Sequence, residues 1–286
     1  MARTSYIYQG ANSTLALYHQ DCIAGMPRRL EPGAVDVVVT SPPYNLGIEY
    51  GRYDDKVSRS SYLDWIDEWA GAVAGVLAGQ GSLFLNIGSK PTDPLVPFQV
   101  LERVQKHFVL QNVIHWIKSI AIEKEDVGNY PNITGDISVG HYKPINSPRF
   151  VNDCHEYIFH LTAQGDVPLD RLAIGVPYQD KSNVGRWDSA RHDLRCRGNT
   201  WFIPYETIRN RKDQRPHPAT FPIKLAEMCI RLHGVKHTRR VLDPFMGLAP
   251  VAISALRLGV DFVGFEIDPE YFNEARKRVK AALVQS

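Results

Sequence analysis

Short apolar runs alternate with longer stretches of helical period along most of this chain. Residues 14–18 alternate apolar and polar, and 37–40 carry three valines and no charge, so both read as strands, the second buried on two faces. Ser60 or Ser61 caps a helix over 62–78 with Leu63, Ile66, Val73 and Leu77 at helical spacing, and Gly79-Gln80-Gly81 stops it. A strand at 82–87, a helix at 94–107 and a strand at 109–117 follow. Residues 123–146 hold Gly128, Pro131, Gly135, Gly140 and Pro144 with no steady period, which reads as an irregular loop. Strand character returns at 156–162. Pro222 opens a helix with Leu225, Met228, Cys229 and Leu232 on one face, closed by Gly234. A strand at 239–242, a helix at 251–258, a strand at 261–267 and a helix at 270–284 complete the pattern. Strands separated by helices predict an α/β fold with a mostly parallel sheet. Ligands of such sheets lie beyond the carboxyl ends of the strands. Residues 41–44, Asn86, residues 243–247 and Glu266 all fall on that edge.

Composition changes this picture little. A chain of 286 residues, 44% apolar and 22% charged, suits one large globular domain or a domain with an insertion. The four cysteines form no C-x-x-C pair, so neither a disulfide framework nor a zinc site is indicated, and a reducing, cytoplasmic setting is expected. Residues 1–10 lack the apolar stretch of an export signal and no run reaches membrane-spanning length, so no membrane partner is expected. The net charge of +2 is uninformative, but its distribution is not. Between 165 and 216, Lys181, Arg186, Arg191, Arg195, Arg197, Arg209, Arg211, Lys212 and Arg215 outnumber the acidic residues, with Trp187, Trp201, Phe202 and Tyr205 interleaved. Such a stretch suits a polyanion; the plainer alternative is a solvated basic surface over a small aromatic core.

Two stretches carry chemistry. At Ser41-Pro42-Pro43-Tyr44 the prolines forbid helix and ladder pairing, so the chain leaves the sheet in a stiff, extended turn. That turn offers carbonyls beside the Ser41 hydroxyl and the Tyr44 ring, where a planar ligand with an amino group could donate to oxygen and stack. The second stretch is Asp243-Pro244-Phe245-Met246-Gly247, then helix, strand and Glu266. Gly247 permits close approach, and an acidic residue at the next strand end can accept ribose hydroxyls at about the spacing of a nucleoside-binding βαβ unit. Only one of the pyrophosphate-binding glycines is present, so a nucleoside without a pyrophosphate fits better.

Together the two stretches resemble the β-class amino-methylating DNA methyltransferases, which use S-adenosylmethionine. Their acceptor motif, (Asp/Asn/Ser)-Pro-Pro-(Tyr/Phe), is similar to 41–44, and their Asp-Pro-Phe-x-Gly-x-Gly motif is similar to 243–247, in that order along the chain. The runs 149–160 and 217–222 are also similar to that family. Ala249-Pro250 departs from the usual Gly-Thr. The resemblance implies a Rossmann-like methyltransferase fold, with a mostly parallel seven-stranded sheet flanked by helices and a circularly permuted motif order. It implies a catalytic half at 1–164, a target-recognition insertion at 165–216 and a cofactor-binding half at 217–286. Ser41, Pro42, Pro43 and Tyr44 would be catalytic. Asp243, Pro244, Phe245, Gly247 and Glu266 would hold the cofactor, with Asp21 near its adenine and Thr220 near its methionine end. Arg186, Arg191, Arg195, Arg197 and Arg211 would reach the DNA. Double-stranded DNA is the implied partner, a homodimer and a companion restriction endonuclease being left open.

Serine at the first motif position favours cytosine N4, aspartate being commoner in adenine-N6 enzymes. Cytosine C5 chemistry is disfavoured because no cysteine follows a proline. Rival readings are a methyltransferase for RNA or protein glutamine, and a catalytically silent DNA-binding module. Cys154, His155 and Glu156 look metal-like, but strand neighbours point to opposite faces, so a structural role is expected and no metal. Trp65 and Trp69 read as core or interface residues.

Overall fold

Val37, Val38 and Val39 lie fully buried in β3 (Val35–Thr40), the strand at the centre of the sheet. The structure is a computed structural model that describes residues 5–45, 57–130, 132–140, 147–188, 192–204 and 220–285. Before β3 come β1 (Ser5–Gln9), β2 (Thr14–His19) and α1 (Cys22–Arg29); after it come α2 (Arg59–Val76), β4 (Leu77–Ile87), α3 (Val96–Val104) and β5 (Val109–Ile117). Next are β6 (Ile120–Ile122), α4 (Lys124–Val127), β7 (Ile137–Val139), β8 (His155–Thr162) and β9 (Thr200–Phe202). The chain closes with α5 (Ile223–His233), β10 (Arg240–Asp243), α6 (Pro250–Leu258), β11 (Asp261–Glu266) and α7 (Pro269–Gln285).

The main sheet runs β1-β2-β11-β10-β3-β4-β8-β5-β9, mostly parallel, with antiparallel pairs at β1/β2, β4/β8 and β8/β5. Alternation along β3 sends Val37 and Val39 to one face, with Leu225, Ala252 and Phe272 of α5, α6 and α7. Val38 points to the other face, with Met26, Ile66 and Val100 of α1, α2 and α3. Each face is therefore sealed by helices, which is why the central strands carry almost no polar positions.

The sheet has nine strands, which corrects the expected seven. The additional β1 is only partly buried and lacks an apolar run, while β9 is three residues long and pairs in parallel with β5. Neither length nor pattern advertises such edge strands. Trp201 of β9 is buried in the main core, so part of the 165–216 stretch packs against the sheet. Helix α2 begins earlier than its expected start, capped by Ser58, whose side chain accepts from the Ser61 amide at 3.2 Å. It also stops earlier, and Gly79 to Gly81 belong to β4. The β3/β4 register shifts between Val35 and Val37, and a side chain at Gly81 would lie 2.7 Å from Leu77. The glycine therefore serves a bulge, not a helix stop. Within the expected irregular loop, β7 pairs antiparallel with β6.

A chain of four polar residues runs into the core. Asn112 Nδ2 lies 3.0 Å from His160 Nδ1, His160 Nε2 lies 2.9 Å from Ser82 Oγ, and His233 Nδ1 lies 2.9 Å from the same oxygen. Asn112 Nδ2 can only donate, so His160 accepts at Nδ1, carries its proton on Nε2 and donates to Ser82, which donates to His233. Burial holds both histidines below their usual range, His160 down to about 3. No helix among the described residues is long and apolar enough to cross a membrane.

Candidate active site

A cleft lies over the carboxyl edge of the sheet. Ser41, Pro42, Pro43 and Tyr44 line it on one side; Asp243, Pro244, Phe245, Gly247 and Glu266 line it on the other, with Asp21 and Thr220 also on its wall. The reason is topological. β3 and β10 are parallel neighbours and β11 is next, so the turns that follow them leave the sheet side by side.

Asp243 is 1% exposed. Its Oδ1 accepts from Thr40 Oγ1 at 2.8 Å, 203 positions away in sequence, and from the Phe245 amide at 3.1 Å. Its Oδ2 is buried with no hydrogen-bond partner among the described residues. Partly buried Glu266 accepts from the Gly247 amide through Oε2 at 2.9 Å and from the Asp268 amide through Oε1 at 2.8 Å. No basic side chain among the described residues forms an ion pair with either carboxyl group. Burial pushes both up to about 7, against the hydrogen bonds that favour the charged form.

Ala249 adopts the left-handed region at φ 59° and is fully buried, so the departure from glycine is accommodated at the cost of backbone strain. Pro250 takes the first turn of α6, where a missing N–H loses nothing.

On the opposite wall the Pro43 carbonyl accepts from Tyr62 Oη at 2.9 Å, while the Pro42 carbonyl receives no hydrogen bond among the described residues. Ser41 Oγ is 2.7 Å from Tyr44 Oη. Tyr44 is 8% exposed, and its hydroxyl is anchored below the cleft by Asn86 and Glu156. Asp21 caps α1 by accepting from the Ala24 amide at 2.9 Å.

The basic residues are less convergent. Arg186 is exposed and lies over the Trp187 ring at 5.1 Å, Arg195 is exposed, and Arg197 is tied to the Ile174 carbonyl at 2.9 Å. Arg191 and Arg211 lie outside the described residues. Sequence reasoning missed Trp65, which lines the cleft and packs on Phe245 at 5.3 Å, whereas Trp69 is core as expected. It also missed Asp268, which borders the cleft and caps α7 through the Glu270 and Tyr271 amides. The Asp-Pro that follows Glu266 was its available signal.

An α/β sheet sealed on both faces, with a cleft across the carboxyl ends of β3, β10 and β11, defines the class: a Rossmann-like fold. The DNA methylase family model matches residues 35–277, and the chain belongs to that family of amino-methylating DNA methyltransferases. It is 29% identical over 288 residues to the Type II methyltransferase M.ScaI of Streptomyces caespitosus, covering 94% of this chain and 82% of the relative. It is 24% identical over 274 residues to the DNA adenine methyltransferase YhdJ of Escherichia coli, covering 95% and 84%. Among solved structures, the cytosine-N4-specific PvuII DNA methyltransferase shares the fold with a TM-score of 0.64 at 18% identity, covering 97% and 93%. The M1.HpyAVI–SAM complex does so with 0.52 at 19%, covering 93% and 99%.

Proposed function

We propose that this DNA methyltransferase moves a methyl group from S-adenosylmethionine to the N4 amine of a cytosine turned out of duplex DNA. One observation carries the reading: the Ser41–Pro42 acceptor edge and the Asp243–Gly247–Glu266 nucleoside site face the same cleft. The residues fit that cofactor. Glu266, held by two backbone amides, presents its remaining lone pairs to ribose hydroxyls. The partnerless Asp243 Oδ2 marks buried space that calls for a polar ligand. Pro244 and Phe245 line the same cleft, as do Asp21 and Thr220, to which the family resemblance gives the adenine and the methionine end. S-adenosylmethionine supplies, when bound, an electrophilic methyl group on a cationic sulfur.

An exocyclic amine is a weak nucleophile because its lone pair delocalises into the base. Ser41 Oγ and the Pro42 carbonyl accept its two hydrogens, draw the nitrogen toward sp³ and hold it in line for transfer. Tyr44 braces the flipped base from the turn, and Pro43 fixes that turn through Tyr62. The 165–216 stretch acts as the target-recognition region, with Arg186, Arg191, Arg195, Arg197 and Arg211 meeting phosphates or base edges. The Type II relatives extend the proposal to a modification role beside a companion restriction endonuclease, and a homodimer is testable by sedimentation.

The adenine-N6 reading is second, favoured by the YhdJ similarity. Mass spectrometry of nucleosides from cells expressing the protein decides. N4-methylcytosine is the expected product, N6-methyladenine moves the acceptor, and neither base above background sinks the proposal.

A further inference from the structure

Beneath the cleft, two hydroxyls lead to a carboxylate that lies outside both motifs. Tyr44 Oη is 2.7 Å from Ser41 Oγ and 3.0 Å from Glu156 Oε2. Asn86 Nδ2 donates to Tyr44 Oη at 2.8 Å and to Glu156 Oε2 at 2.7 Å. Lys118 Nζ balances the carboxylate from 3.1 Å. A phenol has one proton to donate and two lone pairs with which to accept. Its proton goes to the charged Glu156, which outcompetes the Asn86 carbonyl 3.5 Å away. Asn86 fills one lone pair, so the other receives the Ser41 hydroxyl. Asn86 Nδ2 also lies 3.4 Å from Ser41 Oγ, but its two protons go to the nearer Glu156 and Tyr44 oxygens, so Ser41 donates inward and keeps its lone pairs for the cleft.

The fold makes room for this contact. Ile87 of β4 stands opposite Tyr157 of β8, which brings Gly88 beside Glu156. A side chain at Gly88 would lie 3.0 Å from Tyr44 Cε2 and 3.1 Å from Glu156 Cγ, so one of the two would have to shift by a few tenths of an ångström. The acceptor motif admits tyrosine or phenylalanine at position 44; phenylalanine would end the chain at Ser41, and here the tyrosine hydroxyl supplies the link.

We infer that Glu156 is a positioning residue and the terminal proton acceptor of methyl transfer, acting through Tyr44 and Ser41. The inference rests on the reading of Ser41 as the acceptor of the substrate amine. As the N–C bond forms and the C–S bond breaks, with its electron pair staying on sulfur, the amine nitrogen becomes cationic and must lose one proton. That proton passes to Ser41 Oγ, the Ser41 hydroxyl proton to Tyr44 Oη, and the Tyr44 proton to Glu156 Oε2. Nitrogen ends neutral and the carboxylate ends protonated. Water then takes the proton beside half-buried Lys118, and the hydroxyls rotate back.

The test is single-turnover methylation of unmodified genomic duplex DNA by the full chain with tritiated S-adenosylmethionine, in H2O and in D2O. Glu156→Gln and Tyr44→Phe are each expected to slow the step about tenfold or more. The double variant should be no slower than the slower single one, because both changes cut the same chain. Cofactor affinity by calorimetry should be unchanged in each. The wild-type rate should fall in D2O, and that isotope effect should vanish in both variants. A wild-type rate in Glu156→Gln, or the same isotope effect in all three proteins, overturns the inference. If Glu156→Gln fails to fold, Tyr44→Phe decides alone by the same two readouts. Ser41→Ala separates the levels: full turnover there removes the acceptor reading itself. Lost turnover there, with wild-type behaviour in Glu156→Gln, removes only the relay.

Discussion

The two walls of the cleft treat buried carboxylates in opposite ways. Behind the Ser41 wall, Glu156 has a cation, an amide and a phenol as partners. On the other wall, Asp243 and Glu266 have amide and hydroxyl donors but no cation among the described residues, and burial lifts both to about 7. A satisfied carboxylate stiffens the structure around it. An unbalanced pair is a standing electrostatic cost that a ligand with hydroxyls and positive charge relieves. The difference separates a wall built to hold geometry from a wall built to be completed.

The sharpest way to separate the walls is Ser41→Ala. Loss of one amine acceptor is expected to slow methylation about 100-fold or more, in line with removal of a single transition-state hydrogen-bonding group. Calorimetry should find cofactor affinity unchanged; a large loss of affinity would mean that the walls are not independent. Glu266→Gln attacks the other side. A carboxamide presents an N–H to one of the two amides that orient it, so cofactor binding should weaken by roughly 10- to 100-fold. Turnover at saturating cofactor should survive, and equal affinity would break the comparison.

Acidity tests the unbalanced pair directly. Below about 7 Asp243 and Glu266 take up protons and can no longer balance a cation, so cofactor binding should weaken as pH falls from 8 to 6. Isothermal titration across that range checks it, and the dependence should shrink in Glu266→Gln. Stability of the free protein carries a related signature. The folded values of the two carboxyls are raised from 3.8 and 4.5, so their contribution is present at low pH and is lost as pH rises through about 7. The core histidines have the opposite sign. Lowered from 6.5, they contribute fully above that pH and lose it as pH falls, by at most about 1.4 kcal/mol per group per pH unit. The two sets offset each other in urea unfolding between pH 5 and 6, and Glu266→Gln should make the loss on the acid side steeper.

The smallest expected effect is Ala249→Gly. Relief of the left-handed strain, offset by the greater freedom of glycine in the unfolded chain, should stabilise by at most about 1 kcal/mol. Cofactor affinity should not change, because no carboxyl group is touched. Thermal unfolding and calorimetry measure both.

Ser41-Pro42-Pro43-Tyr44 and Asp243 through Gly247 were legible in the sequence because each is local: a strand end, a chain breaker and a chemically apt residue in consecutive positions. The α/β order was legible for the same reason, since hydrophobic period is a property of short windows. The edge strands β1 and β9 were not, being short and half-exposed. Trp65 was not, because helical spacing marks an apolar face without saying what that face meets.

The sequence by itself determined the class of chemistry, which residue types could carry it and the order in which they occur. Only the tertiary structure decided that they share one cleft, since Thr40 meets Asp243 across 203 positions and Tyr44 meets Glu156 across 112. It also brought Glu156 within hydrogen-bonding distance of Tyr44 and Asn86 beneath that cleft. Strand periodicity assigns a residue to a face, but the partner on that face depends on sheet order and register, and those are set by how every strand packs at once.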